Sequence, residues 1–148
     1  MPKPDEITEA RRRAKREGAP ETYLERIGEI TGIIAEREFG SGGDLVVGIR
    51  VDMDALEIWE AVDEDHDPAS KGFRSSHPGA MHACGHDGHT AIGIGIARNL
   101  VSSGGFEGTL RLFFQPAEEG GRGGFPMSVT EYTTDVDYFL ALHLGTRK

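Results

Sequence analysis

The stretch TAIGIGIARNLVSSGGFEGTLRLFFQ, residues 90–115, decides the fold that this sequence predicts. Its first part has the length and apolar content of a buried helix, and Gly93 and Gly95 indicate a close approach to a sheet. Its second part, TLRLFFQ (109–115), is an apolar run of strand length. The helix side that we expect to pack carries Ile92, Ile96 and Leu100.

Further predicted strands lie on both sides of this stretch. The nearly continuous apolar run VDYFLALHL (136–144) is typical of a strand that is covered on both faces. Two earlier segments, TGIIAEREF (31–39) and LVVGIRVDMDAL (45–56), predict strands joined by a glycine-rich hairpin at 40–43. Strands that alternate with a helix favour an α/β fold with three layers, α/β/α. Residues 57–83 show no clear period and predict loops.

Residues 1–30 are more polar than the rest and predict a helical leader. One helix is expected after Asp5, and the sequence Gly18-Ala19-Pro20 ends it. A second helix is expected to start near Glu21. Its apolar residues recur at helical spacing: Tyr23, Leu24, Ile27 and Ile30. The remaining residues, 31–148, are predicted to form one α/β domain.

The composition excludes two classes of partner. The formal net charge is -9, whereas nucleic acids and anionic membranes both require a basic surface. No segment approaches the ~20 apolar residues of a membrane span, and the charged N-terminus lacks the apolar stretch of a signal peptide. A single cysteine, Cys84, rules out a disulfide within the chain and favours a reducing compartment. We therefore expect a cytoplasmic protein that binds neither nucleic acid nor membrane.

The densest group of chemically active side chains is HACGHDGH, residues 82–89, directly before the predicted helix. Thiolate and imidazole are the preferred ligands of zinc-like cations, and a carboxylate completes many such sites. A tight turn at Gly85 allows Cys84 and His86 to point at one place. The nearby helix N-terminus is expected to favour the thiolate form of Cys84. Any one of these residues alone would be an ordinary loop residue, but the cluster predicts a metal site.

Acidic and imidazole side chains also follow three of the predicted strands. In open α/β sheets, ligands collect outside the carboxyl ends of the strands. We therefore expect these side chains to converge with the Cys–His cluster. They are Asp52 and Asp54 after the second strand, Glu118 and Glu119 after TLRLFFQ, and His143 at the end of the last strand.

The adjacent acids Glu118 and Glu119 are expected to divide two tasks. Neighbouring residues after a strand are expected to point in different directions, so that one binds a metal while the other faces a substrate. A bound metal lowers the pKa of water from about 15.7 towards about 7. A free carboxylate can take up that proton and later deliver it to a leaving amine. The pair therefore indicates metal-assisted hydrolysis.

Four motifs in the same order resemble one enzyme family. They are VDMDAL (51–56), MHACGHDGHTA (81–91), FQPAEEG (114–120) and ALHLG (141–145). They resemble the di-metal aminoacylase/carboxypeptidase family in its hippurate-hydrolase and auxin-amino-acid-hydrolase branch. Within the branch, RVDMDAL, the acidic leader and VDYFLALHLG are most similar to the aminobenzoyl-glutamate utilization type. The resemblance implies a zinc-peptidase-like catalytic domain that hydrolyses the amide bond of a small N-acyl or aminobenzoyl amino acid.

The resemblance also implies a role for each site residue and a cofactor, two divalent cations such as zinc or manganese. Glu118 is expected to act as the general base. The expected metal ligands are Cys84, as the bridging thiolate, His86, Glu119 and His143. The residues expected to support these ligands from behind are Asp52, Asp54, Asp87 and His89, with His82 as a further candidate. Full-length members of the family are expected to form homo- or hetero-oligomers.

The chain departs from the family pattern in two places. Glu57 stands where the family has a proline after the DMDAL motif. The family also continues with a lid and dimerisation domain and a last histidine ligand, whereas this chain stops five residues after His143. Residues 31–148 are therefore expected to be a partial catalytic domain. The alternative function is that of a metal-binding but catalytically incomplete piece of such an enzyme.

Two alternatives from other classes of protein are weaker. A thiol redox protein centred on Cys84 would need a second cysteine to resolve the oxidised one, and the chain has only one. A phosphate-binding loop at GGRGG (120–124) lacks the Lys-Ser/Thr pair that opens the helix of a P-loop.

Overall fold

The chain divides into two compact units, residues 1–31 and 32–148. The computed structural model describes residues 3–26 and 31–145. The predicted boundary, between residues 30 and 31, lies one residue from the division between the units. Ile27 and Ile30 of the predicted second helix lie outside the described residues.

The first unit contains the two predicted helices. Helix α1 (Pro4–Arg16) has acidic residues in its first turn and basic residues in its last turn, which suits the helix dipole, and Gly18 follows it with φ +93°. Helix α2 (Glu21–Arg26) begins where the sequence predicts. Neither helix has a buried residue. The Nζ atom of Lys15 lies 2.5 Å from Oε1 of Glu21, an exposed ion pair of a kind that contributes only about 0–1 kcal/mol.

The second unit is built on a mixed four-stranded sheet in the order β1-β3-β2-β4. Strand β1 pairs antiparallel with β3, while β2 pairs parallel with both β3 and β4. The carboxyl ends of β2, β3 and β4 therefore lie at one edge of the sheet. The strands are β1 (Ile33–Phe39), β2 (Val46–Asp52), β3 (Gly108–Gln115) and β4 (Tyr138–Ala141).

The predicted hairpin between β1 and β2 is wrong, because β3 lies between these two strands. Residues 40–45 pass over the amino end of β3, where the Leu45 carbonyl accepts a hydrogen bond of 2.8 Å from the Thr109 amide. This connection is long enough to span the about 10 Å between strands two places apart. Strand β3 takes the central place because most of its residues become buried there. Burial, rather than closeness along the chain, decides which strands are neighbours.

Helix α4 (His86–Ser103) packs over β2 and β3. It begins at His86, four residues before the predicted Thr90. The side chains on its packed side follow helical spacing, and two histidines come first: His86, His89, Gly93, Ile96, Ala97 and Leu100. The packed stripe therefore begins inside the cluster that the sequence placed in a loop.

The predicted close approach of the helix to the sheet is confirmed at Gly93. A Cβ atom there would lie 3.1 Å from Cγ1 of Val51, a fully buried residue of β2. At Gly95 the predicted close approach is wrong, because a Cβ atom there would meet no atom within 4 Å. The expectation that Ile92 packs against the sheet is also wrong, because its side chain is exposed. The packed stripe runs through His89, Gly93 and Ile96, which leaves Ile92 and Gly95 towards the outer side of the helix.

Short elements cover part of the other face of the sheet. Helix α5 (Gly124–Ser128) contacts β3 and buries Met127, and a 3-10 helix (Glu131–Thr133) follows it. With α4 on one face and α5 on the other, the predicted α/β/α class is confirmed in partial form. Residues 57–80 form the predicted loop region, interrupted by the one-turn helix α3 (Asp67–Ser70).

The prediction that the last strand is covered on both faces is wrong for β4. All four of its residues are exposed, because β4 lies at the edge of the sheet and α4 packs over β2 and β3. Within the described parts of the chain, every helix falls short of the length and apolarity of a membrane span.

The packing of α4 on β2 predicts the effect of trimming Val51. Val51→Ala is expected to lower the free energy of unfolding by about 2 kcal/mol, because the side chain is fully buried beneath Gly93. The control, Val101→Ala, removes an exposed valine of α4 and is expected to change it by less than about 0.5 kcal/mol. Urea unfolding followed by circular dichroism measures both, and equal losses would contradict this packing.

The ion pair of Arg111 on β3 predicts a pH dependence of stability. The Arg111 guanidinium donates hydrogen bonds to Asp135 and holds the pKa of that carboxyl below its ordinary value of 3.8. A carboxyl with a depressed pKa stabilises the fold above its unfolded pKa, and the effect is lost as the pH falls through the folded pKa. Asp135→Asn is therefore expected to be less stable than wild type at pH 7, and the difference to shrink below about pH 4. Urea unfolding at both pH values tests this, and a constant difference would contradict it.

Candidate metal centre

The last residue of β2, Asp52, is fully buried at the carboxyl edge of the sheet. Its Oδ1 accepts a hydrogen bond of 2.5 Å from Nδ1 of His89. Its Oδ2 lies 2.7 Å from Nη1 of Arg50, an ion-pair contact without hydrogen-bond alignment. The hydroxyl of Thr90 donates to the Asp52 carbonyl over 3.0 Å. Asp52 thus joins the end of β2 to the first turns of α4.

The ring of His86 is oriented by a backbone carbonyl. Its Nδ1 lies 2.8 Å from the Asp54 carbonyl oxygen, which can only accept a hydrogen bond, so Nδ1 donates and Nε2 is the ring nitrogen left for a metal. The buried Nε2 has no hydrogen-bond partner. Three carboxylate oxygens lie near it: Asp52 Oδ1 at 3.8 Å, Glu118 Oε2 at 3.7 Å and Glu119 Oε1 at 3.8 Å.

His143, just beyond β4, is oriented in the same way. Its Nδ1 donates to the Leu144 carbonyl over 2.8 Å, which leaves Nε2 as the ring nitrogen available to a metal. That Nε2 lies 4.0 Å from both Cys84 Sγ and Glu118 Oε1. The Leu144 amide donates to Nε2 of His89 over 2.7 Å, so His89 has both ring nitrogens engaged. His86 and His143 therefore turn Nε2 towards one region, whereas His89 holds the backbone next to His143.

Cys84 lies in the loop that enters α4, and Gly85 turns this loop with φ +80°. Its Sγ and the donor atoms of His86 and Glu119 all lie within 4.8 Å of one another. The hydrogen bond with Glu119 raises the pKa of the thiol, with smaller contributions from burial and from the charges of Glu118 and Asp52. The expectation that the helix N-terminus would favour the thiolate is therefore wrong for the protein alone, because the surrounding carboxylates outweigh it.

The loop after β3 is held by Asp54. Its carboxylate accepts from the Glu118 amide over 3.0 Å and from the Glu119 amide over 3.2 Å. Burial alone would raise the pKa of Asp54, but these two hydrogen bonds together with His86 outweigh it and hold the pKa below its usual value. Ala117 adopts the left-handed conformation, with φ +52°, which turns the chain into this arrangement.

The expectation that Glu118 and Glu119 point in different directions is wrong. Both carboxylates approach Nε2 of His86, because the tight turn that begins at Ala117 replaces an extended strand continuation. Their other neighbours differ. Glu119 joins the Cys84 group, while Glu118 lies near His143 Nε2 and 3.9 Å from Arg50 Nη2.

This donor set fits a divalent cation. The buried Nε2 of His86 has no hydrogen-bond partner and lies among carboxylate oxygens, so a cation placed between these atoms would be favourable. Two groups of donor atoms surround this place, each within 4.8 Å: Cys84, His86 and Glu119; and Asp52, His86, His89 and His143. Imidazole, thiolate and carboxylate together are typical ligands of zinc and related cations.

Two predicted supporting residues lie further out. Asp87 is exposed in the first turn of α4, and His82 is exposed in the preceding loop. Sequence analysis missed Arg50 and the amide of Leu144. The one basic residue within the otherwise apolar strand VVGIRVD, apart from its final Asp52, was the available signal for Arg50, whereas a backbone amide leaves no trace in the sequence.

An α/β sheet with a Cys–His–carboxylate cluster at its carboxyl edge is the arrangement of a metal-binding α/β domain. Comparison with protein families gives a match of residues 48–148 to peptidase family M20/M25/M40, and the chain belongs to this family. The family resemblance drawn from the four motifs is therefore confirmed.

Two relatives match almost the whole chain. The indole-3-acetyl-aspartic acid hydrolase of Enterobacter agglomerans is 49% identical over 147 residues, which are 97% of this chain and 34% of the relative. A p-aminobenzoyl-glutamate hydrolase subunit of Escherichia coli K12 is 48% identical with the same coverage. The chain thus spans about a third of the length of these relatives.

Two solved structures share the fold. An aminobenzoyl-glutamate utilization protein from Klebsiella pneumoniae superposes with a TM-score of 0.68 at 34% identity, over 99% of this chain and 31% of that one. The YXEP protein of Bacillus subtilis, described as a dinuclear metal binding peptidase of the M20 family, superposes with a TM-score of 0.66 at 36% identity. That superposition covers 95% of this chain and 37% of the other.

The two hydrogen bonds to Asp54 predict that its carboxylate is needed to shape the site. In Asp54→Asn, the side-chain NH2 group would face an amide N–H, so one of the two hydrogen bonds is lost. Zn²⁺ affinity is expected to fall about 10–100-fold, the range for groups that orient metal ligands. Competition with a chromophoric chelator measures it. Asp65→Asn, an exposed loop acid, serves as the control, and equal affinities in the two variants would contradict the role of Asp54.

Proposed function

We propose that this chain carries the metal-binding part of an enzyme that hydrolyses the amide bond of a small N-acyl amino acid. The substrates of the two relatives, p-aminobenzoyl-glutamate and indole-3-acetyl-aspartate, define this class, together with hippurate-like compounds. The observation that carries the proposal is the buried, unpartnered Nε2 of His86, which lies beside the carboxylates of Glu118 and Glu119.

Within the proposal, four residues hold two divalent cations, zinc or manganese. The proposed ligands are Cys84, His86, Glu119 and His143. Three of them, Cys84, His86 and Glu119, already bring their donor atoms within 4.8 Å of one another, and His143 Nε2 lies 4.0 Å from Cys84 Sγ. When bound, such cations polarise the scissile carbonyl and lower the pKa of the attacking water.

Glu118 is the proposed general base. Its carboxylate lies beside His86 and His143 and outside the group that Cys84 forms with Glu119. It is about two-thirds buried and approached by Arg50. From this position it takes a proton from water at an oxygen of its carboxylate and delivers that proton to the nitrogen of the leaving amine.

The remaining site residues support this arrangement. Asp52 holds His89 by a hydrogen bond, and Asp54 holds both His86 and the loop of the two glutamates in the same way. We propose that Asp52 and Asp54 act through these contacts. Asp87, in the first turn of α4, supports the helix N-terminus that carries His86. The free thiol of Cys84 suits a reducing, cytoplasmic setting, and the net charge of -9 suits neither nucleic acid nor an anionic membrane as a partner.

The length of the chain favours a second candidate function. The chain spans about a third of the length of its relatives. In the second candidate function, this chain binds the metal, while another part of a longer protein forms the substrate pocket or binds the oligomeric partner. Metal binding without turnover would support this candidate over the complete enzyme.

The neighbouring acids provide a matched test of the proposed roles. Glu118→Gln is expected to lower hydrolysis of p-aminobenzoyl-glutamate about 10²–10⁴-fold, because the proton acceptor is lost, and to leave metal content unchanged. Glu119→Gln is expected to lower both, because it removes a proposed ligand. Metal analysis after Zn²⁺ or Mn²⁺ loading and an assay for released p-aminobenzoate measure the two effects.

Three other outcomes are informative. Metal content that falls in Glu118→Gln but not in Glu119→Gln would make Glu118 the metal ligand and Glu119 the general base. Turnover that survives Glu118→Gln would remove Glu118 as the base. Failure of the wild-type chain to bind any divalent metal would overturn the proposal.

A further inference from the structure

Arg50 is the only charged residue of β2 besides Asp52, and its side chain lies on the face of the sheet opposite α4. It is largely buried and lines a cavity of about 590 Å³ together with Phe113, Met127 and Phe139. A buried guanidinium in mostly apolar surroundings is costly unless its donors are paired. The partners of the Arg50 side chain therefore indicate its role.

Each nitrogen of the Arg50 guanidinium lies near a residue of the sheet edge. Nε donates to Oε1 of the buried Gln115 over 2.8 Å. Nη1 lies 2.7 Å from Asp52 Oδ2, and Nη2 lies 3.9 Å from Glu118 Oε1. The guanidinium thus contacts the ends of both β2 and β3 from behind the candidate metal centre.

The contact with Asp52 continues into the site. Asp52 accepts from Nδ1 of His89 through its other oxygen, which fixes the tautomer of His89 with a lone pair on Nε2. That lone pair accepts from the Leu144 amide, and Leu144 follows His143 directly. Arg50, Asp52, His89 and the Leu144 amide therefore form a continuous series of polar contacts, which we call the Arg50 relay.

We propose that Arg50 is a positioning residue that acts through this relay. It holds Asp52 so that His89 keeps a single tautomer, and His89 in turn holds the backbone that presents His143. The inference rests on the proposed function for its consequence in metal binding, but the tautomer of His89 depends only on the contacts of the protein itself.

Arg111 provides a matched comparison on the neighbouring strand. It is also a buried arginine, and its side chain pairs with Glu36, Asp135 and the Tyr132 carbonyl. None of these partners belongs to the candidate metal centre. Loss of Arg111 is therefore expected to weaken the fold without changing His89, which separates a positioning effect from a general loss of stability.

The experiment compares Arg50→Gln, Arg50→Lys and Arg111→Gln in the full chain. The tautomer of His89 is measured in metal-free protein at one fixed pH from the ¹⁵N shifts of its imidazole, assigned with His89→Asn. We expect wild type to show the proton on Nδ1 alone, and Arg50→Gln to show a mixture of tautomers. Arg50→Lys keeps a cation for Asp52 and is expected to retain the wild-type tautomer. Circular dichroism confirms that each variant is folded.

The second measurement is Zn²⁺ affinity by competition with a chromophoric chelator. Arg50→Gln is expected to bind Zn²⁺ about tenfold more weakly than wild type. This is the lower end of the about 10–100-fold range for groups that orient metal ligands. Arg111→Gln is expected to stay within about twofold of wild type, because it lies outside the relay.

The outcomes distinguish the relay from the proposed function. An unchanged His89 tautomer in Arg50→Gln would overturn the relay even if the wild-type chain binds Zn²⁺. An equal change of tautomer in Arg111→Gln would overturn it as well, since the effect would then be one of stability. A shifted tautomer in Arg50→Gln alone would support the relay even in a chain that binds no Zn²⁺, a result that would count against the proposed function only.

Discussion

The candidate metal centre depends on one buried hydrogen bond, that between Nδ1 of His89 and Oδ1 of Asp52. It joins the first turns of α4 to the end of β2 in a place without solvent, where a polar contact is strong and an unpaired partner is costly. Gly93 completes the junction one turn later, because its lack of a side chain lets the helix approach Val51. Together these contacts set the position of His86, and the remaining site residues are arranged around it.

The centre concentrates negative charge that the protein alone compensates only in part. Asp52, Glu118 and Glu119 lie around Nε2 of His86. A hydrogen bond with Glu119, together with the charges of these carboxylates, raises the pKa of the Cys84 thiol. Hydrogen bonds from the Glu118 and Glu119 amides stabilise Asp54, and Arg50 stabilises Asp52. The mutual repulsion of the other donors is what a divalent cation would relieve, so the same feature that disfavours the unliganded arrangement favours cation binding.

Much of the fold could be predicted because local patterns suffice for it. The helix, the central strand and the α/β class follow from apolar runs and from glycines at the ends of elements. The hairpin and the covered last strand were wrong because pairing and covering depend on residues far apart in the chain: β3 enters between β1 and β2, and β4 lies at an edge. The start of α4 was missed because two packed histidines resemble loop residues in the sequence.

By itself, the sequence determined which chemistry is available: thiol, imidazole and paired carboxylates placed after strands, in motifs that indicate the M20/M25/M40 family. Only the tertiary structure decided how these groups are used. It turned Glu118 and Glu119 towards the same nitrogen, gave His86, His89 and His143 their hydrogen-bond partners, and brought Arg50 behind Asp52. The physical reason is that a side chain's identity is local, whereas its protonation and direction depend on partners that the fold brings from elsewhere in the chain.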